Sequence, residues 1–290
     1  MQTLHEVKYL RAVVRAEKQN GKRVALVPTM GNLHDGHLQL VRRARELADC
    51  VVVSIFVNPM QFGDSRDLDS YPRTLAEDQA RLEHEGVHFL FVPNNEEIYP
   101  HGTELHAKVN VDALDGILEG ASRPGHFEGV CTIVNKLFNL VQPSLAVFGE
   151  KDYQQLAIIK RMVDDLCMPV DVVGVATVRE SNGLAMSSRN SRLSEAERKE
   201  AAIIYRELQS TRDRILAGEC NYAALCAEAS NEIAAAGLKP DYFELRDAAS
   251  LAVVDAKNPP ARLVIVAAAY LGETRLLDNI SFELPENTHE

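Results

Sequence analysis

The chain has 290 residues, enough for one large domain or two smaller ones, and its 46% hydrophobic and 25% charged side chains exclude a disordered or fibrous protein. With 42 acidic against 31 basic side chains the formal net charge is −11, a field that repels polyanions and makes nucleic acid a poor partner. Five cysteines, odd in number and without C-x-x-C spacing, argue against a disulfide framework or a zinc site.

Residues 1–19 mix charges with apolar side chains and lack the h-region of a signal peptide. No stretch reaches the ~20 apolar residues of a membrane span, so the expected compartment is the cytoplasm. Residues 23–28 then read as a strand ending in a turn, and residues 36–48 place Leu38, Val41, Ala44 and Leu47 at helical spacing. CVVVSIFV at 50–57 suits a strand buried on both faces, closed by Asn58-Pro59. Thr74 to Glu77 has the form of a capping box, opening a helix that Gly86 should end; residues 87–92 form the next strand. A helical stripe from Val130 to Val141 precedes a short strand at 145–148. A helix over 153–166 follows with Asp152 as its N-cap, then a strand at 170–175.

This alternation predicts an α/β fold in which a Rossmann-like parallel sheet carries helices on both sides and binds ligands at the carboxyl ends of its strands. The texture changes near Asn182. A second capping box, Ser194 to Glu197, opens a helix to about Ala217; another helix at 222–236 and three strands near 241–246, 262–269 and 274–278 follow. The expected division is a nucleotide-binding catalytic domain over 1–184 and a smaller α+β domain over 185–290 acting as a lid.

The segment PTMGNLHDGH, residues 28–37, lies between a predicted strand and helix. Gly31 permits a tight turn and Gly36 a close backbone approach. His34 and His37 are three residues apart, and the helix N-terminus adds unpaired N–H groups and positive potential. Together they form a receptor for charge developing on a transferring phosphate. Such a pair is often a surface coincidence, but the strand–turn–helix setting favours function, and neither a dinucleotide fingerprint nor a Walker lysine loop is present. Phe148 to Asp152 also follows a strand, and Lys151 reaches a phosphate as a point charge. Met186 to Asn190, flanked by Arg179 and Arg192, supplies hydroxyls and a guanidinium for a mobile phosphate clamp. Gln61 and Gln155 carry amides that suit a hydroxyl or carboxylate.

VPTMGNLHDGH, FVNPMQF, YPRTLAED, EGASRPGHFEGV, FGEKDYQQL and LAMSSRN, in that order, resemble the pantothenate synthetase (pantoate–β-alanine ligase) family, in the HxGH superfamily of nucleotidylyl transferases. The resemblance implies ATP-dependent condensation of pantoate with β-alanine through a pantoyl adenylate, releasing pyrophosphate and AMP. It implies His37, His34 and Lys151 as catalytic. ATP would be held by Met30, Gly31, Asn32, Leu33, His34, Asp35, Gly36 and His37, by Gly149, Glu150, Lys151 and Asp152, and by Val178, Met186, Ser187, Ser188 and Arg189. Gln61 would bind pantoate and β-alanine, and Gln155 pantoate; Arg123 and His126 are further contacts. Asp78 matches a metal-facing carboxylate of the family, but its neighbour is Glu77 where some members have a second Asp. Magnesium is expected to arrive with ATP, with no protein ligand assigned and no tightly bound cofactor. A homodimer is implied by the likeness alone. Another HxGH transferase would need more basic groups for a phosphate-bearing acceptor, and a silent nucleotide sensor would not need His37, Lys151 and Arg189 together.

Overall fold

The computed structural model describes residues 1–63 and 65–285. Two compact units divide the chain: residues 1–150 with 154–176, and residues 151–153 with 177–290.

The first unit is built on a six-stranded, wholly parallel sheet of order β1-β4-β3-β2-β5-β6, with β1 Gln2–Leu4, β2 Val24–Thr29, β3 Cys50–Ile55, β4 Phe89–Phe91, β5 Leu145–Gly149 and β6 Asp171–Val175. Its helices are α1 Val7–Gln19, α2 Asp35–Leu47, α3 Ser65–Asp69, α4 Leu75–His84, α5 Asn95–Ile98, α6 Asp112–Asp115, α7 Leu118–Ser122, α8 His126–Val141 and α9 Tyr153–Asp165. Every residue of β3 is buried, as its unbroken β-branched run requires when helices cover both sheet faces. One core packs Val41 and Ala44 of α2 against Ala25 and Val27 of β2 and Val51 and Val53 of β3. From β2 the chain moves outward through β3 to β4, then returns to β5 on the other side of β2. The boundary between β2 and β5 is therefore the switch point at which ligands sit in such sheets.

The second unit has its own core. Helices α10 Glu195–Ala201, α11 Ile203–Leu216 and α12 Tyr222–Ala235 pack on a three-stranded antiparallel sheet, β7 Lys239–Asp247, β8 Arg262–Leu271 and β9 Thr274–Glu283. Ile204 and Leu208 from α11 meet Leu263 and Ile265 from β8 there, all nearly sealed from solvent.

Local sequence reading fails at several places for identifiable reasons. Strand β1 has three residues, too few for a period, whereas α1 places Val7, Leu10 and Val14 at helical spacing, a stripe overlooked among the charges of that segment. The expected capping box at Thr74 does not form: its hydroxyl bonds Asp78 Oδ2 at 3.2 Å. Asp152 is not an extended N-cap, because Glu150–Asp152 is a 3-10 turn that runs into α9. The helix expected to reach Ala217 breaks at Ala202 into α10 and α11. The Ser194 box does form, Glu197 N–H donating to Ser194 Oγ and Ser194 N–H to Glu197 Oε2.

Candidate active site

At the end of β2 the chain turns through two consecutive left-handed residues, Gly31 at φ +80° and Asn32 at φ +50°. Only glycine fits the first position. A Cβ there would lie 3.0 Å from Ile55 Cγ2 and 3.1 Å from Asp78 Oδ2. Helix α4 grips this turn from both polarities. Asp78, 1% exposed, accepts the N–H of Asn32 and of Leu33 at 2.8 Å each, and Arg81 donates to the Leu33 carbonyl. The carboxylate that matched a metal-facing position thus spends its oxygens on main-chain amides and the Thr74 hydroxyl. Among the described residues there is no group of three or more His, Cys, Asp or Glu able to hold a metal ion.

The turn delivers His34 to the N-cap of α2, with extended backbone at φ −128°, ψ 175°. His34 Nδ1 accepts the Gly36 N–H at 3.2 Å, and His37 Nδ1 accepts the His34 N–H at 3.3 Å. This is a capping box built from two imidazoles. A backbone amide can only donate, so both Nδ1 atoms are lone-pair acceptors and each neutral ring carries its hydrogen on Nε2. The ring centroids are 4.1 Å apart. The arrangement yields two adjacent Nε2–H donors at a helix N-terminus, hydrogen-bond donors that need no net charge.

Gln61 lies beyond β3 in a 3-10 turn, Pro59–Gln61, capped by Asn58. Its orientation follows from a chain of fixed donors and acceptors. Asn58 Nδ2 donates to the Gly129 carbonyl at 3.0 Å and Asn58 Oδ1 accepts the Met60 N–H, so this amide is unambiguous. Tyr99 donates to the same Oδ1 at 2.7 Å, and burial pushes its phenol well up, keeping it a donor. Asn58 Nδ2 then requires Gln61 Oε1, at 3.1 Å, which turns Gln61 Nε2 toward Met30 Sδ at 3.2 Å. Gln61 therefore presents the donor half of its amide beside the His34 turn. His126 Nδ1 and Arg123 converge on the Gln61 carbonyl, at 2.8 and 3.4 Å, so these residues brace the turn's main chain.

Helix α8 packs on this turn through bare backbone at Gly129, where a Cβ would come within 2.5 Å of the Met60 carbonyl carbon and oxygen. Gly129→Ala is expected to push α8 and the 59–61 turn apart, lowering the melting temperature by about 4–8 °C for an overpacking cost of ~2 kcal/mol and raising the KM for the Gln61 ligand. Thermal melts with steady-state kinetics check this; an unchanged KM detaches Gln61 from α8.

Gln155 stands on the first turn of α9, after β5 and half-buried. Its neighbour Gln154, which nothing in the local sequence distinguishes from it, is the buried one. It accepts the Glu119 N–H and donates to the Leu114 and Ile117 carbonyls at 2.7 and 2.8 Å, pinning the α6–α7 segment. Consecutive helical residues diverge by about 100°, so one glutamine anchors while the other faces elsewhere.

In the second unit, Lys151, Ser187 and Arg189 line one small cleft with Asn190 and Asp278. Ser187 Oγ accepts the Arg189 N–H as N-cap of a 3-10 turn, Ser188–Arg192, and Met186 N–H pairs with the Val178 carbonyl. Ser188, Val178 and Met186 are near this cleft in sequence but are not among the residues that line it. Arg179, expected to flank the phosphate clamp, is committed elsewhere: its guanidinium donates to both oxygens of buried Asp278, at 2.6 and 2.9 Å. Asp278 and Asn279, near the end of a strand-like run, carried no sequence signal for a site.

The sequence model of the pantoate-beta-alanine ligase family matches residues 2–281. The chain belongs to the pantoate-beta-alanine ligase family. The pantothenate synthetase of Pseudomonas putida strain W619 is 54% identical over 290 residues, covering 99% of this chain and all of that one. A crystal structure of pantothenate synthetase from Thermus thermophilus superposes with a TM-score of 0.89 at 45% identity, over 97% of this chain and 99% of that one. A pantoate-beta-alanine ligase from Francisella tularensis, complexed with beta-gamma ATP and beta-alanine, has a TM-score of 0.79 at 34% identity over 97% of each chain. Membership of this ligase family makes the chain an enzyme and agrees with the parallel α/β sheet followed by a smaller antiparallel one. No helix among the described residues is long and apolar enough to cross a membrane.

Proposed function

We propose that the chain joins pantoate to β-alanine at the expense of ATP, through a pantoyl adenylate. The observation that carries this reading is the double imidazole cap, which aims two Nε2–H donors from a helix N-terminus located at the sheet's switch point. A pantoate carboxylate oxygen attacks the α-phosphorus, the bond to the β-phosphate bridging oxygen breaks, and pyrophosphate leaves. The β-alanine amine then attacks the acyl carbon, the acyl–oxygen bond breaks, AMP leaves and the amine loses a proton. A free carboxylate is a poor acylating agent, and the mixed anhydride supplies the leaving group.

His34 and His37 stabilise negative charge on the phosphate as it develops, and neither has to transfer a proton. Lys151, Ser187 and Arg189 supply further phosphate contacts. Gln61, with its amide turned to donate, holds pantoate, and Gln155 recognises the same acid. The main-chain groups of residues 30–36 and 149–152, with Val178 and Met186, receive the rest of the nucleotide. Magnesium enters as part of the ATP substrate and keeps its waters. We further propose a homodimer in the cytoplasm, on the family likeness.

The test supplies ATP, D-pantoate labelled with 18O in its carboxylate, and β-alanine. One labelled oxygen is expected in AMP, with pantothenate formed in equal amount. Unlabelled AMP rules out the adenylate, and no AMP in the presence of all three substrates rules out the reaction.

A further inference from the structure

Asp278, on the wall of the cleft of the second unit, belongs to a largely buried polar cluster that the proposed chemistry does not use. The Arg179 guanidinium donates to both Asp278 oxygens, to the Gly183 carbonyl at 3.1 Å and to the Asn279 carbonyl at 3.3 Å. Its Cζ lies 3.5 Å from the centre of the Tyr205 ring, and Gly183, at φ +95°, leaves no room for a Cβ against that ring. Asp278 also accepts the Asn279 N–H at 2.7 Å. Asn279, itself buried, then donates its side-chain amide to the main-chain carbonyl of Lys151 at 2.8 Å. An Arg–carboxylate fork is among the most geometrically demanding pairs available, and a surface clamp has no need of one sealed at 5% exposure of its acid. The cluster connects three pieces that are remote in sequence: Lys151, the 179–183 hairpin that leads to Ser187 and Arg189, and β9.

We propose that Asn279, locked by the Arg179–Asp278 pair, is a positioning residue that fixes the Lys151 main chain and so aims its ammonium at the ATP phosphates. The inference rests on the reading of Lys151 as a phosphate ligand. Asn279 touches no substrate. It sets the point from which the Lys151 side chain springs, while Arg179 holds the root of the loop that carries Ser187 and Arg189, so Lys151 and that loop share one buried reference.

Asn279→Ala, and Asn279→Leu to fill the same volume without a donor, are compared with Lys151→Met and with each double variant. The expected result for the Asn279 variants is a rise of about 5- to 10-fold in the KM for ATP, the scale of one lost hydrogen bond. The KM values for pantoate and β-alanine should move less than about 2-fold, whereas a merely structural role lowers the active fraction and leaves every KM alone. In the Lys151→Met background, loss of Asn279 should add nothing further, because its effect passes through Lys151. If Lys151→Met is impaired in ATP use but the Asn279 variants are not, or if the two losses multiply independently, the positioning role is wrong. If Lys151→Met itself leaves ATP use unchanged, the reading of Lys151 fails, and the inference with it.

Discussion

Replacing His37 by asparagine is expected to lower kcat by roughly 10²-fold, the scale of losing one preorganised donor to transition-state charge. The asparagine side-chain oxygen can stand where Nδ1 now accepts the His34 N–H, so the cap survives while the Nε2–H disappears. His37→Ala removes both, and should show the same loss of rate with an added destabilisation of about 1 kcal/mol from the broken cap. The pair of variants separates chemistry from folding. A His37→Asn enzyme with native kcat takes His37 out of the reaction; one that unfolds where His37→Ala does not refutes the capping account.

Asp78→Ala is the second large effect. The carboxylate satisfies two main-chain N–H groups in a site closed to water, and truncation leaves both without an acceptor. At about 1–3 kcal/mol for each orphaned donor, a loss of roughly 3 kcal/mol is expected, or about 6–12 °C in melting temperature. The same change frees the turn that sets His34, so kcat should fall well below what the unfolded fraction accounts for, by roughly 10-fold or more even at temperatures where the variant is fully folded; a 1 Å misplacement has such a cost. Rates normalised to the folded fraction decide it. A folded variant with normal kcat shows that the turn is held by Arg81 and sterics alone. Activity that instead falls with magnesium affinity returns Asp78 to metal binding.

Much of the first unit is legible because its signals are local. The β-branched run of β3, the helical stripe of α2 and the glycines of the 28–37 segment each state their element within a few residues. His34 and His37 are visible for the same reason. What the sequence hides is partnership over distance. Asp78 sits in a segment that looks like a helix start, and only the fold reveals that its oxygens serve amides 45 and 46 residues earlier. Gln154 and Gln155 are indistinguishable as letters, and a 100° step around α9 assigns one to anchoring. Asn58 reads as a strand breaker before proline; its role in turning the Gln61 amide depends on Tyr99 and Gly129, which lie 41 and 71 residues away. Arg179 misleads because a guanidinium near a phosphate loop invites a phosphate role, whereas its acid lies 99 residues downstream.

Residues 151–153 belong with the C-terminal unit although the chain on both sides of them belongs to the first. Lys151 gives its carbonyl to Asn279, and Tyr153 donates its hydroxyl to the Ala248 carbonyl at 2.9 Å. The second unit is therefore discontinuous in sequence. A fragment ending at residue 176 would retain this tripeptide without the partners that shape it, and a fragment beginning at 177 would lack the lysine. An exchange of segments between relatives at that junction would set Lys151 on a support taken from the other parent.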